Sequence, residues 1–290
     1  MGYRFLYIVF ISSLVFTACK PETMPNPNPP GSSSDTTILN ISYGPDPSQK
    51  LDLGLPAGRS SATPLVIVVH GGGWSTGDKN ELSWMVNGFK LRGFVVANIN
   101  YRLTLNSPDN YKMQLDDVDS AIQFTLRHSS MYTFNAQKIY IVGHSAGGHL
   151  SLSYAYTRNA IGKVKAVGTM AGPANLFAMA YYNPTVFNSI LQPFLGMSLY
   201  PITPASEQRY KSCSPQYQAS NTSIPTILFH GESDFFITPD QSTNLAVTLE
   251  TLHVDKKLIL YPATFHDWWT DGTKTANTLD ELKNWFNGHQ

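Results

Sequence analysis

Ile139-Tyr140-Ile141-Val142-Gly143-His144-Ser145-Ala146-Gly147-Gly148-His149-Leu150-Ser151 decides how the rest of the chain is read. The apolar run Ile139 to Val142 is a buried strand in miniature. Gly148 to Thr157 is compatible with a helix. Between them stands Gly143-His144-Ser145-Ala146-Gly147, a G-x-S-x-G turn. Strand, G-x-S-x-G and helix in that order make a nucleophile elbow, a turn so tight that its flanking positions leave no room for side chains and the serine is pushed out above the sheet edge. Ser145 would also stand at a helix N-terminus, where backbone N–H groups and the helix dipole favour a developing negative charge. The plain alternative is a glycine-rich turn whose serine caps a helix.

Outward from the elbow, the chain alternates. Thr37 to Tyr43 and Lys50 to Leu55 read as an antiparallel pair around the Gly44-Pro45-Asp46-Pro47 turn. Leu65 to Val69 and Phe94 to Ile99 are continuous apolar runs, as strands buried on both faces require. Helical spacing covers Glu81 to Leu91 and Tyr111 to His128, with Met113, Leu115, Val118, Ile122 and Leu126 on the expected inner face. Further strands are expected at Val164–Met170, Ile224–Phe229 and Lys257–Tyr261, and further helices at Pro239–His253 and Asn277–Phe286. The pattern predicts an α/β fold: a mostly parallel, doubly wound sheet with helices on both faces and binding loops along one edge. Residues 175–220 break the alternation. This stretch is aromatic, proline-rich and weakly periodic. It reads as a lid-like insertion, or as a satellite core under one.

An elbow serine needs a base, and the base an orienting carboxylate. On this type of turn they follow in the order Ser, Asp, His. Asp234 lies after the strand ending near Phe229, in Gly231-Glu232-Ser233-Asp234, and His266 follows the last strand. Glu232 is the substitute acid. His230 comes too early to be the base and would support its loop, while His144 and His149 flank the elbow. His253 and His289 are badly placed, and Asp267 cannot easily reach round to orient its neighbour. Acyl chemistry also needs N–H donors for the oxyanion. His70-Gly71-Gly72-Gly73 after a strand supplies them, completed by the N–H of Ala146.

His70-Gly71-Gly72-Gly73-Trp74, Gly77-Asp78-Lys79, Asn100-Tyr101-Arg102, Gly143 to Gly148 and His230 to Asp234 together resemble the esterase/lipase branch of the α/β-hydrolase superfamily, over roughly residues 40–288. The likeness is strongest to small carboxylesterases, which include carbohydrate acetyl and feruloyl esterases. It implies Ser145 as nucleophile, His266 as base and Asp234 as orienter. Gly72, Gly73 and Ala146 are implied as oxyanion donors, with Gly71 left open. It also implies an acyl-enzyme, no cofactor and no metal. His-Gly-Gly-x-Trp occurs too in kynurenine-formamidase-like hydrolases, so a formamide substrate stays open. So does a catalytically silent binding module on the same fold.

The N-terminus reads as an address. Arg4 precedes an apolar run, Phe5 to Phe16, too short for an ordinary membrane span. Phe16-Thr17-Ala18-Cys19 resembles the lipobox of bacterial lipoproteins, and an ordinary secretory peptide is the alternative. The resemblance implies a signal peptide at 1–18, Cys19 as the lipidated first residue, and an exported, membrane-anchored protein. A Pro/Asn/Ser-rich tether at 19–35 would then lead to the catalytic domain at 36–290. Cys213 is the only other cysteine, so the expected fold rests on core packing without a disulfide. Formal net charge is zero and no Lys/Arg-rich block occurs, which argues against nucleic acid as a partner. An ester of a small molecule or oligosaccharide is the expected substrate.

Overall fold

In β3 (Leu65–Val69) every residue is apolar and fully buried, because each face of the strand has its own core. Leu65, Ile67 and Val69 join one cluster; Val66 and Val68 join the other. Side chains alternate across a strand, so only a strand covered on both faces calls for an unbroken apolar run. The computed structural model describes residues 34–104, 110–159 and 162–290. Cys19 and nearly all of the expected leader and tether lie outside the described residues.

β1 (Thr36–Ser42) and β2 (Lys50–Leu55) form the expected antiparallel pair, and β2 runs antiparallel to β4 (Val95–Ile99). From β4 onward the sheet is parallel. It contains β3, β5 (Ile139–His144), β6 (Val164–Met170), β7 (Thr226–Gly231) and β8 (Lys256–Tyr261), in the order β1-β2-β4-β3-β5-β6-β7-β8. After β3 the chain crosses to β4 on one side; β5 lies on the other. That reversal opens a crevice at the C-terminal ends of β3 and β5, where ligands bind in such sheets. The glycine loop follows β3, and Ser145 follows β5.

One face is covered by α1 (Ser83–Lys90) and, from the far end of the chain, α10 (Gly272–Gly288). Met85, Val86 and Phe89 meet Leu279, Leu282 and Phe286 there. The opposite face holds α2 (Asn110–Arg127), α4 (Ala146–Thr157) and α9 (Asp240–Thr251), with the short α3 (Ser129–Tyr132) at its rim. The inner face of α2 is not quite the expected one. Met113 and Leu126 are only half-buried, whereas Tyr111, Gln114 and Asp117 are buried. The two polar residues are there for hydrogen bonds, which apolar spacing does not register.

Several boundaries differ from the sequence expectation. β7 runs on through His230 and Gly231, so both are strand residues. α10 begins at Gly272, five residues early, because the Asp271 side chain accepts from the N–H groups of Thr273 and Lys274. The expected insertion at residues 175–220, between β6 and β7, carries four helices: α5 (Leu176–Tyr182), α6 (Pro184–Leu195), α7 (Pro204–Ser212) and α8 (Pro215–Gln218). Pro184, Pro204 and Pro215 each occupy the first position of a helix, where the missing N–H costs nothing. Asn175 caps α5, and Thr203 forms a capping box with Ser206. The aromatics divide. Phe187, Phe194 and Tyr210 are core, while Tyr181, Tyr182 and Tyr217 are exposed.

Asp117 ties the antiparallel end of the sheet to α2. Its buried carboxylate pairs with the Arg102 guanidinium at 2.6 Å and accepts from the Arg102 N–H at 2.8 Å and from Gln49 Nε2 at 2.7 Å. Removing one partner leaves buried donors unpaired. Asp117→Ala should therefore lower the unfolding free energy by about 3 kcal/mol, read as a lower midpoint in urea at unchanged slope.

Candidate active site

Ser145 enters α4 with φ +52° and ψ −122°, a conformation L-residues rarely adopt. Its side chain makes no capping bond to α4, which removes the helix-cap reading. Its N–H donates to the Met170 carbonyl at 2.8 Å, pinning the elbow to β6. Two residues on, a Cβ at Gly147 would stand 2.2 Å from the Val69 carbonyl oxygen and 2.3 Å from that of His70. Only glycine lets α4 start this close to the end of β3. The strained serine is thereby wedged against the loop that faces it.

That loop is held from outside the site. Gly72 has φ +101° and its carbonyl accepts from the N–H groups of Ser75 and Thr76, so the chain doubles back tightly. A Cβ there would lie 2.1 Å from the Thr76 carbonyl oxygen. The Trp74 carbonyl accepts from the Thr104 N–H and hydroxyl and from Gln114 Nε2, each within 2.9 Å. Trp74 Nε1 donates to His149 Nδ1 at 3.2 Å, and His149 Nε2 donates in turn to the Cys213 carbonyl at 2.8 Å. The Trp74 ring stacks on Phe194 of α6. Tyr101 hydroxyl bonds reach the His70 and Gly71 carbonyls, and its ring stacks on His70 at 4.4 Å. Asn100 holds the Asp78 carboxylate and accepts from the Lys79 N–H; Lys79 pairs with buried Asp52 at 3.1 Å. Gly77-Asp78-Lys79 and Asn100-Tyr101-Arg102 are thus the scaffold of the glycine loop.

Asp234 and His266 meet although 32 residues separate them: His266 Nδ1 lies 2.6 Å from Asp234 Oδ2. The other carboxylate oxygen accepts from the N–H groups of Phe236 and Ile237, both at 2.9 Å. With Nδ1 donating to Asp234, His266 keeps the Nε2 lone pair for the cavity. Burial alone would push the Asp234 carboxyl up. Hydrogen bonds from His230 and His266, the His266 charge and the Ile237 N–H overturn that and hold it well below the usual carboxylate range. His230 braces the pair from within β7, bonding Ser242 Oγ and the Ile237 carbonyl at 2.7 Å each. Glu232, the substitute acid, is exposed.

The other histidines near the elbow are kept neutral. Burial pulls His144 down to about 3, helped by the charge of His266, and pulls His149 and His70 down to about 4. His144 Nε2 lies 3.3 Å from the His266 carbonyl and 3.4 Å from Asp267 Oδ1, and its ring meets Trp269 edge-on. Asp267 therefore faces His144 and does not orient His266. His144, His266 and Asp267 are the one group of three metal-capable side chains among the described residues, with ligand atoms within 4.8 Å of one another. His144 Nε2 is already engaged by the His266 carbonyl, and His266 Nδ1 by Asp234.

Two spaces meet at Ser145. A cavity of about 400 Å³ is lined by Ser145 and His266, with Gly72, Gly73, Thr76, Glu81, Asp267 and Trp269 around it. The second is a slot of about 10 Å³, walled by Gly73, Ser145, Ala146, Met179, Phe187 and Phe236. Gly72, Gly73 and Ala146 all border these spaces. Gly71 borders neither; its α-carbon faces His144 and the Ser145 Cβ. Phe236, Ile190 and Trp269 were not singled out from sequence. Their only sequence signal is position: Phe236 lies two residues past Asp234, and Trp269 three past His266.

The family profile described as BD-FAE matches residues 51–249. The isoprenylcysteine α-carbonyl methylesterase of Arabidopsis thaliana is 27% identical over 252 residues, covering 78% of this chain and 56% of that protein. The chain thus spans little more than half the length of that relative. A kynurenine formamidase of Salmo salar is 31% identical over 115 residues, 40% of this chain and 37% of that protein. A solved truncated carbohydrate esterase from gut microbiota superposes with a TM-score of 0.71 at 20% identity, covering 88% of this chain and 99% of that one, a likeness in fold.

The depressed Asp234 carboxyl sets a direction for stability. An acid held below its unfolded value of about 3.9 stabilises the fold fully above that pH and loses the contribution as pH falls. Asparagine cannot ionise. The stability difference between wild type and Asp234→Asn should be largest at neutral pH and should shrink below about pH 4, as urea melts across that range will read.

Proposed function

The chain belongs to the BD-FAE family of α/β-hydrolase serine esterases, and from that premise we propose that it removes a small acyl group, acetyl above all, from esters of a carbohydrate or similar polyhydroxyl alcohol. The observation that carries this reading is the unequal division of space at Ser145. The acid that protonates the leaving group must face it, so the cavity holding His266 takes the alcohol. The slot without a histidine takes the acyl group. At about 10 Å³ the slot has room for one water-sized or methyl-sized group. The alcohol side is much roomier, and Ser75, Thr76, Glu81 and Asp267 beside the Trp269 ring suit a hydroxyl-rich ring with an apolar face.

The residues then act as follows. His266 Nε2 accepts the Ser145 proton as Oγ attacks the ester carbonyl. Asp234 fixes the tautomer and balances the imidazolium. The oxyanion takes N–H bonds from the Gly72–Gly73 segment and from Ala146, each such donor contributing about 3 kcal/mol at the transition state. The imidazolium returns its proton to the departing alcohol oxygen, which leaves an acyl-Ser145. Water entering from the alcohol side gives a proton to His266 Nε2 as it attacks the acyl carbon, and His266 returns that proton to Ser145 Oγ as the acyl C–O bond breaks, which frees the acid and restores the serine. The slot would also seat a formyl group, which keeps a formamide as the second reading.

An initial-rate panel tests the proposal on soluble protein lacking residues 1–20. It should hydrolyse acetylated xylo-oligosaccharide and aryl acetate faster than methyl ferulate or N-formylkynurenine. Ser145→Ala should bring all rates to background, and Asp234→Asn should lower kcat by about 10³–10⁴. Dominant turnover of the formamide would promote the second reading. We also propose export and lipidation at Cys19, supported by the apolar run that ends there. Cys19→Ser should shift the full chain from the membrane fraction to the soluble fraction of an exporting bacterium, and a variant that stays with the membrane would refute the anchor.

A further inference from the structure

One side chain borders three spaces in this region. Phe236 lines the alcohol cavity, the acyl slot and a third cavity of about 230 Å³ between α5, α6 and the start of α9. Phe187 and Met179 are shared by the slot and the third cavity. The slot and the space behind it are therefore separated by the side chains of Phe236, Phe187 and Met179. Behind them the third cavity is walled by Ala178, Tyr182 and Phe235, with Asn183 and Gln241 among its polar members.

We propose that Phe236 is a movable partition, and that the cavity behind it is a second acyl subsite for extended apolar acyl groups that the slot alone excludes. This rests on the esterase reading and on the slot being the acyl side. The partition is mounted for such a role. The Phe236 N–H is fixed by Asp234 Oδ1, so its backbone stays with the catalytic pair. Its ring has no hydrogen bond to break, and the residue is 39% exposed. It rests on Phe187 at 5.7 Å and on the edge of His266 at 5.6 Å. A turn about χ1 between staggered wells moves the ring without moving the backbone. With the ring aside, slot and rear cavity join into one channel that begins at the Ser145 acyl carbon. Residues of α5 and α6, distant in sequence from the triad, then set the permitted acyl length.

The test measures kcat/KM for p-nitrophenyl acetate and p-nitrophenyl hexanoate, with fluorophosphonate titration of Ser145 counting competent sites. Phe236→Ala should raise the hexanoate-to-acetate ratio at least tenfold. Adding Ala178→Phe, which fills the rear cavity from α5, should cancel most of that gain. Phe187→Ala removes the facing ring and should raise the same ratio, which keeps the test open if Phe236→Ala titrates poorly. A ratio within twofold of wild type in both single variants, at full titration, would overturn the partition. So would a gain that Ala178→Phe leaves intact, since the long chain would then lie elsewhere. Absence of Ser145-dependent acetate turnover in the wild type is a separate result, overturning the esterase reading and the partition with it.

Discussion

The site depends on a contact that excludes a single carbon atom. Gly147 packs its α-carbon against the carbonyl oxygens of Val69 and His70, at distances no Cβ survives. This fixes how close α4 comes to the end of β3, and so how close the Ser145 hydroxyl comes to the glycine loop. Ser145 bears the consequence as a positive φ. Strain of this kind costs of order 1–3 kcal/mol and persists only where the surroundings over-determine it. Here they do: β5 is paired on both sides, the Ser145 N–H is tied to β6, and the glycine loop is held by Tyr101, Thr104 and Gln114. The rigidity of the sheet core underwrites a backbone shape that an isolated turn would abandon.

Electrostatics then sorts chemically identical side chains into different work. The chain has eight histidines, and three of the buried ones border the elbow or its facing loop. His70, His144 and His149 are neutral over the physiological range because burial penalises their charged forms. They serve as fixed donors and acceptors. His266 stands apart by its partner: it has a carboxylate at 2.6 Å, and that carboxylate is held ionised by two backbone N–H groups and by His230. In the proposed reaction, a buried acid kept charged would be a prepared counter-ion for the imidazolium.

The parts legible in the sequence were those where one local rule governs. Elbow, glycine loop and late histidine each sit just past a short apolar strand, and the parallel topology delivers all three to one edge. Strand positions came through because a two-faced core demands continuous apolar runs. What was not legible depended on partners far along the chain. Asp117 and Gln114 look like the wet face of α2 until Arg102 and Trp74 arrive to pair with them. Pro184, Pro204 and Pro215 belong to a proline-rich, weakly periodic stretch, yet each starts a helix, since the residue that breaks a helix interior is welcome at its first turn. The walls at Phe236 and Trp269 carry no motif. Their importance comes from where β7 and β8 end relative to β5.

The four helices between β6 and β7 are more than a cover. α6 contributes Phe194, stacked on Trp74, while the Cys213 carbonyl after α7 accepts from His149, whose other nitrogen accepts from the same Trp74. Phe187 and Ile190 of α6 meanwhile wall the spaces where substrate would lie. One element thus shapes the spaces beside Ser145 and steadies the glycine loop that faces it. A change in α6 that enlarges the pocket also loosens the stack beneath Trp74 unless Phe194 keeps its place. Positions 187 and 190 face the cavity, whereas 194 faces the loop, one helical turn further on. The spacing lets pocket and loop be altered separately, because side chains three and four apart share a face but sit at different depths along it. Phe187 and Ile190 can therefore reshape the space beside Ser145 while Phe194 and His149 keep Trp74 and the glycine loop in place.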